Sequence, residues 1–390
     1  MKCVLFTHPS FLSHQSMPRF ARMLSEGMTK RGHQVEVWTP KARFYKLFSN
    51  PFLKKWMGYI DQYVVFPQEI KNKLKGCKES TLFVFADQAL GPWVPSVADR
   101  AHVIHCHDFL ALRSSLGEIP RNPTGWTGRQ YQKLIQRGFS RGSNFISGSK
   151  KTQEDLHRFL LKDPLVSEVV YNGLNASFKP GDAREARVLM SKMTNLDLSN
   201  GYILHVGGNV WYKNRTGIIE VYDAWRSIKS KVIPILLIGE PPTAALAELR
   251  MRSPFKLDIH WLSDVDDRMI KYAYIGADVF FFPSLAEGFG WPVAEAMASG
   301  CPVITTNEAP MTEVTGQAGF LIPKRPDDDS KVKAWAANAA IVLNNVVMFS
   351  DEARKTVVAN GLENSKRFDP EVALNKIEAI YQSIIDNTDS

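Results

Sequence analysis

The chain of 390 residues has few cysteines and lacks a long apolar run. The four cysteines, Cys3, Cys77, Cys106 and Cys301, are widely scattered, which is typical of reduced thiols and not of a disulfide framework. No apolar run reaches the roughly 18 residues that a membrane span needs. The opening residues carry one lysine and then an early histidine, unlike a secretory signal peptide. We therefore expect a cytoplasmic, globular protein.

Three further absences narrow the class of protein. No repeat of 20–50 residues appears, which excludes a solenoid. No G-x-G-x-x-G follows either predicted first strand, which disfavours a dinucleotide-dependent dehydrogenase. The formal charge of +8 predicts an anionic partner, namely a phosphorylated ligand, a membrane surface or nucleic acid. Because no nucleic-acid recognition module is present, nucleic acid is not expected.

Short β-branched or aromatic runs alternate along the whole chain with amphipathic helical stretches. This alternation predicts parallel sheets in two doubly wound, Rossmann-like α/β domains. A polar, turn-rich segment at 175–186 marks the boundary, so we predict domains at 1–178 and 179–368. The predicted strands are 2–8, 34–40, 81–87, 102–108, 144–149, 168–173, 201–208, 232–240, 258–263, 278–284, 301–306 and 319–323.

Two glutamates, Glu287 and Glu295, flank a glycine-rich turn after a predicted strand. Gly288 and Gly290 allow backbone N–H groups to approach a ligand closely. Pro292 suits the first turn of a helix, whose N-terminus favours phosphate. A carboxylate can accept both hydrogen bonds of a sugar diol. The turn therefore suits a diphosphate with a sugar at each end, although a helix-dipole glutamate and a solvated loop glutamate are the simpler alternative.

A second glycine-rich turn follows the first strand of the second domain. Gly207 and Gly208 end that strand, and Lys213 opens the next helical region. A lysine in this position can neutralise phosphate charge. An ordinary solvated lysine at a helix start is the alternative, and the double glycine favours the phosphate interpretation.

The segment ADVFFFPSLAEGFGWPVAEAMASGCPVITT resembles the E-x7-E motif of retaining glycosyltransferases of the GT-B fold, specifically glycosyltransferase family 4 of the bacterial glycan type. The resemblance is strong over 201–325 and looser over 1–180. It implies two Rossmann-like domains that face a central cleft, with a C-terminal helix at 369–390 crossing back to the first domain. It also implies transfer of a sugar from a UDP- or GDP-sugar, with retention, to a glycan or lipid-linked acceptor, without an obligatory cofactor.

The resemblance gives roles to the residues of the second domain that match the motif. Glu295 should bind the ribose diol of the nucleotide, and Glu287 should contact the hydroxyls of the donor sugar. The backbone N–H groups of Gly288, Phe289 and Gly290 should meet the donor sugar and the diphosphate.

Other donor-binding roles depart in part from the family pattern. Lys213 matches the phosphate-binding lysine, but Gly208 or Asn209 stands where the family has an arginine. Arg215, or an arginine of the other domain, is an alternative source of that charge. Backbone groups near Val265 should contact the base. The missing arginine keeps a partner subunit without catalytic activity open as an alternative.

Two clusters in the sequence could suggest a metal. Asp264 and Asp266 form a D-x-D run, for which we prefer a helix cap at Ser263 or Asp264. In HCHD, strand alternation places His105 and His107 on one face and Cys106 on the other, which disfavours zinc. We therefore predict no metal.

His107 matches a histidine that lines the donor-sugar pocket in the resembled family, and Asp108 would orient it. We interpret His105 as a buried core residue. The predicted catalytic residues are thus Glu287, His107 and Lys213.

Contacts with the acceptor are predicted from the loop after the first strand and from a polar loop at 118–133. The candidates are Ser10, His14, Arg19 and Arg129, although the family often has a glycine pair in the first loop. The segment 41–59 interleaves five basic residues with aromatic ones, which predicts contact with a membrane surface. An insertion whose aromatic side chains pack inward is the alternative.

One rival function shares the fold, namely a nucleotide-sugar epimerase. It would process the donor without an acceptor, so incubation with donor alone separates it from a transferase.

Overall fold

The computed structural model describes residues 1–12, 16–228 and 232–388. It divides into a first unit, Met1–Tyr171 with Glu371–Ser390, and a second unit, Asn172–Pro370. The first division lies before the predicted boundary after residue 178, and the second lies two residues after the predicted 368. The Leu174 N–H donates to the Phe368 carbonyl at 2.8 Å. The segment that enters the second unit is therefore bonded to the segment that leaves it.

The first unit contains a parallel sheet of six strands in the order β2-β1-β3-β4-β5-β6. β1 pairs with both β2 and β3, so that Phe6 lies opposite Trp38 and Phe85. The strands are β1 Lys2–Phe6, β2 Gln34–Trp38, β3 Thr81–Phe85, β4 His102–Cys106, β5 Asn144–Ser147 and β6 Val166–Val169. The helices of this unit are α1 Ser16–Lys30, α2 Pro51–Ile60, α3 Phe66–Leu74, α4 Leu110–Ser115, α5 Trp126–Phe139 and α6 Lys150–Phe159, and the C-terminal helix runs from Pro370 to Thr388.

The C-terminal helix Pro370–Thr388 packs on one face of the first sheet. Its buried side chains join the core that contains Leu5, Val103 and α1. These side chains are Ala373, Leu374, Ile377, Tyr381, Ile384 and Ile385. Alternation along β4 places Cys106 in the core of the opposite face. The last helix of the chain is thus a structural part of its first unit.

The second unit repeats the architecture with a parallel sheet in the order β12-β11-β10-β7-β8-β9. Its strands are β7 Ile203–Val206, β8 Ile235–Ile238, β9 Ile259–Leu262, β10 Val279–Phe282, β11 Val303–Thr306 and β12 Phe320–Ile322. Its helices are α7 Ala183–Thr194, α8 Arg215–Ser227, α9 Ala244–Arg252, α10 Asp267–Gly276, α11 Trp291–Ala298, α12 Met311–Thr315, α13 Asp329–Val347 and α14 Asp351–Ser365; the C-terminal helix of the first unit is α15 in this order.

Two central strands of the second sheet, β10 with VFFF and β8 with ILLI, are apolar without interruption. Helices cover both faces of such a sheet, so every strand residue is buried and no polar alternation is expected. Trp225 of α8 and Leu343 of α13 are buried in the core on one face. The prediction of two doubly wound α/β domains is confirmed.

Each sheet has one topological switch point, at which the chain changes the direction in which it adds strands. In the first sheet β2 lies on one side of β1 and β3 lies on the other. In the second sheet β8 and β10 flank β7 in the same manner. Ligands of open α/β sheets bind beyond the carboxyl ends of the strands at such points. The loops after β1 and β3, and after β7 and β10, are therefore the first places to search for a site.

Among the described residues, no single helix has the length and apolar character of a membrane span. One bent pair, Asp329–Val347 with Asp351–Asn387, passes by length and composition only, at an angle of 102°.

Candidate active site

An ion pair joins the two loops at the switch point of the second sheet. Lys213 follows β7, Glu287 follows β10, and Lys213 Nζ lies 2.8 Å from Glu287 Oε1. Ser284 Oγ donates to the same oxygen at 2.8 Å. The Leu285 N–H donates to the Tyr212 carbonyl at 2.7 Å, so the two loops are also bonded through their backbones. Two of the three predicted catalytic residues are thus in direct contact.

The Lys213 ammonium is largely withdrawn from solvent. The side chains of Lys213 and Glu287 are only 13% and 9% exposed. The ammonium also lies 4.6 Å from the centre of the Phe282 ring. The aromatic ring and the single carboxylate hold the ammonium in place. One incoming anion is nonetheless enough to replace the Glu287 carboxylate as its partner.

Arg215, the first residue of α8, supports the glycine turn after β7 through hydrogen bonds. Arg215 is 3% exposed, and its guanidinium donates to the Glu240 carbonyl and to Asn209 Oδ1 at 2.8 and 2.7 Å. It also donates to the carbonyls of Gly207 and Ile238. Arg215 was one candidate for the missing phosphate-binding arginine. Its hydrogen bonds are instead made to the turn and to β8, because four acceptors converge there on its planar donors.

Glu240, which follows β8, is a site residue that the sequence analysis missed. Its carboxylate accepts from the Asn209 N–H at 2.8 Å, and a Cβ added at Gly208 would lie 3.2 Å from it. The position predicted for an arginine therefore faces an acidic side chain. The signal in the sequence was the Gly239-Glu240 pair at the carboxyl end of a strand beside β7.

A buried histidine, His205, lies beneath the same turn. Its Nδ1 is 3.1 Å from the Phe281 carbonyl. Within the part of the chain that the structure describes, its Nε2 has no hydrogen-bond partner. Burial, and then the Arg215 guanidinium, lower the pKa of His205 to about 3. The ring is therefore neutral at physiological pH and adds no charge beneath Lys213.

The turn from Glu287 to the helix ends in a left-handed residue, Gly290, with φ of 97°. Phe289 is buried, and its ring packs edge-on against Phe368 at 5.4 Å. This anchor fixes the backbone of the turn, and α11 follows at Trp291. Because glycine adopts positive φ without strain, Gly290 allows the chain to enter the helix at this sharp angle.

Glu295 is the fifth residue of α11 and lies directly after its first turn. Its side chain is buried, at 6% exposure, and Tyr274 donates its hydroxyl hydrogen to Oε2 at 3.3 Å. A buried carboxylate is costly unless it is bonded. Glu287, at 9% exposure and bonded to Lys213 and Ser284, is not the solvated loop residue of the simpler interpretation.

The loop after β9 contains Val265 and the D-x-D run. Val265 is half-buried there. Asp266 caps α10 through a 2.7 Å bond from the Met269 N–H, whereas Asp264 has a positive φ of 57° and precedes the cap. The expected cap at Ser263 or Asp264 was thus wrong by two residues or more. No group of three or more metal-ligating side chains occurs among residues 1–12, 16–228 and 232–388.

In the first unit, His107 follows β4 at the carboxyl edge of the sheet. Its Nε2 lies 2.8 Å from the Ala86 carbonyl, and its ring meets Phe20 edge-on at 4.5 Å. Burial lowers the pKa of His107. The Asp108 carboxylate, which was expected to orient this ring, accepts from the Leu110 N–H at 3.0 Å. The Ala86 carbonyl holds the ring through Nε2, and the role of Asp108 stays a prediction.

A second ion pair, which the sequence analysis also missed, lies at the switch point of the first sheet. His8 follows β1, Asp87 follows β3, and His8 Nε2 lies 2.8 Å from Asp87 Oδ2. Burial opposes ionisation of Asp87, but the bond from His8 and the nearby histidines outweigh it and lower the pKa of this carboxyl. Both residues directly follow apolar strands, which was the available signal.

Three of the four predicted acceptor-side residues lie among the described residues. Ser10, Arg19 and Arg129 are exposed, and Arg129 Nε donates to the Thr124 carbonyl at 2.9 Å. His14 lies outside the described residues. Their role in acceptor binding stays a prediction.

Known proteins match this chain in both sequence and fold. Residues 200–345 match the family described as Glycosyl transferases group 1. The O-antigen chain mannosyltransferase B of Escherichia coli is 31% identical over 170 residues, which are 43% of this chain and 42% of that protein. An uncharacterised glycosyltransferase of Methanocaldococcus jannaschii is 24% identical over 363 residues, which are 82% and 86% of the two chains.

Among solved structures, HepE of Anabaena with UDP and glucose has a TM-score of 0.72 at 17% identity. The superposition covers 98% of this chain and 100% of that one. This chain has the GT-B fold, and its residues 200–345 are similar to the family Glycosyl transferases group 1. The GT-B assignment made from the sequence is confirmed, whereas family 4 and the role of each site residue remain predictions. The matched domain spans both loops that the Lys213–Glu287 pair joins.

Proposed function

We propose that the chain is a retaining glycosyltransferase that moves a sugar from a nucleotide diphosphate sugar to a glycan or lipid-linked acceptor. The observation that carries the proposal is the Lys213–Glu287 pair at the switch point of a glycosyltransferase domain. The E. coli relative is named an O-antigen chain mannosyltransferase, which supports a glycan-building reaction.

The donor binds by replacing one partner of the ion pair. Its diphosphate takes the place of Glu287 beside Lys213, and the backbone N–H groups of Gly288, Phe289 and Gly290 contact the sugar and the phosphates. Glu287, thus released, accepts hydrogen bonds from the sugar hydroxyls, and Glu295 accepts from the ribose diol. The base lies near Val265. His107 of the first unit lines the donor-sugar site.

The reaction proceeds on one face of the sugar. The bond between the anomeric carbon and the phosphate oxygen breaks, a bond to the acceptor oxygen forms, and the acceptor proton passes to the departing phosphate. Lys213 and the helix N-terminus of α11 stabilise the charge that develops on the diphosphate. These groups supply that stabilisation without a metal, and no protein nucleophile takes part.

The donor is a UDP- or GDP-sugar. HepE of Anabaena was crystallised with UDP and glucose, which supports a uridine nucleotide. The E. coli relative is named a mannosyltransferase, so glucose is not the only hexose that the relatives support as the transferred sugar. A thermal-shift screen of nucleoside diphosphates identifies the base, because a ligand that binds only the folded protein raises its melting temperature.

The protein acts in the cytoplasm, on the inner face of a membrane that segment 41–59 contacts. Phe52 and Trp56 of α2 are 67% and 45% exposed, which supports this contact, whereas Tyr45 and Tyr59 of the same segment are partly buried. Exposed aromatic side chains beside lysines favour the boundary between lipid headgroups and chains.

The Glu287→Gln variant tests the function. The amide still accepts from Ser284 but has no charge to exchange with the diphosphate, so we expect transfer to fall at least about 100-fold. The melting temperature should change little. Glu248→Gln, at an exposed glutamate of α9, is the matched control and should keep full activity.

Three results would overturn the assignment. Turnover of Glu287→Gln near that of the unchanged protein would exclude the proposed role of the carboxylate. Rapid conversion of a nucleotide sugar to its epimer without acceptor would instead favour an epimerase. Tight donor binding without turnover over a broad acceptor panel would favour a non-catalytic subunit.

A further inference from the structure

An aromatic trough runs along the surface of the first unit between α2 and the start of α5. Two adjoining cavities of about 460 and 380 Å³ form it, and both are lined by Lys55, Tyr59 and Tyr131. We define the aromatic trough by its seven ring side chains, namely Phe11, Tyr45, Trp56, Tyr59, Tyr63, Trp126 and Tyr131. Each cavity has the volume of a small-molecule site.

The floor of the trough is a fixed cluster of tyrosines. The hydroxyls of Tyr63 and Tyr131 are bonded at 2.7 Å, and the ring of Tyr59 lies 5.7 Å from that of Tyr131. Trp56 meets Tyr59 edge-on at 5.8 Å. Trp126, at the other wall, is 73% exposed. Since the hydroxyls bond to each other, the rings present apolar surface to a ligand.

The residues that line the trough include two lysines, Lys54 and Lys55, and no acidic residue. Segment 41–60 has five lysines and arginines, segment 119–142 also has five, and neither has an aspartate or glutamate. The next acid in the first wall, Asp61, is buried, and its carboxylate accepts from the N–H groups of Arg43, Phe44 and Tyr45. The trough therefore attracts an anion.

One end of the trough reaches the loop that follows β1. Phe11 and Leu12 of this loop line the larger cavity, together with Lys54. The same loop contains His8, whose pair with Asp87 lies at the switch point of the sheet. A ligand in the trough would thus extend toward the edge where a sugar acceptor is expected.

We propose that the aromatic trough binds the hydrocarbon chain of a lipid-linked acceptor, while Lys54 and Lys55 contact the phosphate that joins the chain to its sugar. This inference rests on the proposed function and selects the lipid-linked class of acceptor. The apolar ring surface fits a chain, and the acid-free walls fit an anionic amphiphile better than a neutral glycan.

Titration with single amphiphiles tests the proposal. Dodecyl phosphate below its micelle concentration is the probe, and dodecyl maltoside and inorganic phosphate each supply one half of its chemistry. Isothermal titration should show dodecyl phosphate binding at least tenfold more tightly than either. Trp126→Ala and Tyr59→Ala should each weaken binding by about tenfold, and Lys54→Gln with Lys55→Gln should remove the preference for phosphate.

Leu134→Ala is the matched control. Leu134 is an exposed apolar residue of α5, at 47% exposure, and it does not line either cavity of the trough. This variant should bind dodecyl phosphate as the unchanged protein does. Melting temperatures of all the variants establish that they are folded.

Three outcomes would overturn the proposal. One is equal binding of dodecyl maltoside and dodecyl phosphate, and another is binding of inorganic phosphate as tight as that of the amphiphile. The third is binding only to phosphatidylcholine–phosphatidylglycerol vesicles, lost in the same variants, which would make the trough a bilayer contact.

The proposed function and this inference fail in different experiments. The trough variants should keep the thermal shift with nucleoside diphosphates, because every substitution is remote in sequence from the Lys213–Glu287 pair. An active Glu287→Gln variant would end the functional proposal and leave the binding of dodecyl phosphate unchanged.

Discussion

At the scale of single residues, the site of the second unit depends on a layer beneath the turn that meets the ligand. Arg215 holds the carbonyls of the turn, and Glu240 holds one of its N–H groups. Neither residue belongs to the E-x7-E motif. The turn is consequently shaped before a donor arrives, which lowers the entropy lost on binding.

Arg215→Lys should weaken this support. A single ammonium cannot reach the four acceptors that the planar guanidinium serves, so we expect a loss of about 2–4 kcal/mol in the stability of the second unit and weaker nucleotide binding. Urea unfolding and calorimetry measure the two effects. Arg226→Lys, on the same helix but bonded to Asp258, is the control; an equal loss of binding there would contradict a specific role for Arg215.

Glu240→Gln should have the opposite effect on binding. The amide oxygen can still accept from the Asn209 N–H, while the negative charge beside the diphosphate is removed. We expect nucleoside diphosphates to bind about two- to fivefold more tightly at low salt, since exposed charges interact weakly. Calorimetry with UDP and GDP measures the change. Weaker binding would show that the carboxylate itself contacts the donor.

The motif residues could be predicted from the sequence, but their supports could not. Glu287 and Lys213 follow strands and glycines in a recognisable order. Glu240 and His8 also follow strands, but a carboxylate or imidazole at a strand end has no meaning until its partner is known. His8 and its partner Asp87 are 79 residues apart, and only the strand order brings them together.

At the scale of elements, the last helix of the chain, α15, contributes to the stability of the first unit. α15 contributes a row of buried side chains to the core beneath β1 and β4. Its Glu378 also pairs with Arg31 and His33 near the end of α1. A polar surface at this end and an apolar stripe along the helix fix its position.

Ile377→Ala should destabilise the first unit selectively. Ile377 is 2% exposed, and a cavity at such a site costs about 2–5 kcal/mol. Hydrogen exchange followed by mass spectrometry separates the units, and peptides of 1–171 should exchange faster while those of 172–370 do not. Val372→Ala, at a half-exposed position of the same helix, should change neither set. Faster exchange in both units would contradict the division.

Element positions were the part of the fold that the sequence predicted well. Each of the twelve described strands overlaps its predicted segment, and eleven lie within it and are shorter. The exception is β6, predicted at 168–173, which begins two residues earlier at Val166 and ends at Val169. The additional predicted residues lie in loops. Residues such as Gly207 and Asp87 no longer take part in strand pairing, because they lie at the carboxyl edge of the sheet, where a ligand is expected. Helix caps were harder, since the three acids Asp264, Asp266 and Asp267 offered equivalent candidates.

At the scale of the whole molecule, each unit contains a histidine buried in its neutral form. Burial, followed by His107 for His105 and by the Arg215 guanidinium for His205, lowers the pKa to about 3 for His105 in the first unit and for His205 in the second. Three further histidines have lowered pKa values for the same first cause, His102, His107 and His260. Burial thus disfavours protonation of these histidine side chains in both units.

Stability should therefore fall as the pH drops below the ordinary histidine pKa of 6.5. Above this pH the stabilisation is complete, and below it the unfolded chain binds protons that the folded chain excludes. Each such histidine adds a slope of about 1.4 kcal/mol per pH unit between its two pKa values. Urea unfolding at pH 7, 6 and 5 measures the slope.

His105→Gln is the control for this pH dependence. Glutamine can keep a bond to the Tyr381 hydroxyl, which His105 meets at 2.6 Å, but it does not titrate. The first unit should then lose less stability between pH 7 and 5. An unchanged slope would show that His105 is already protonated in the folded state.

The return of the chain to its first unit has a consequence for synthesis on the ribosome. Residues 172–370 emerge as one uninterrupted segment, so the second unit can complete its core while translation continues. The first unit, by contrast, must wait with β1 and β4 uncovered until residues 371–390 have left the exit tunnel. We expect the first unit, although it is synthesised first, to finish folding last. We also expect chaperones to bind its exposed apolar face during that interval.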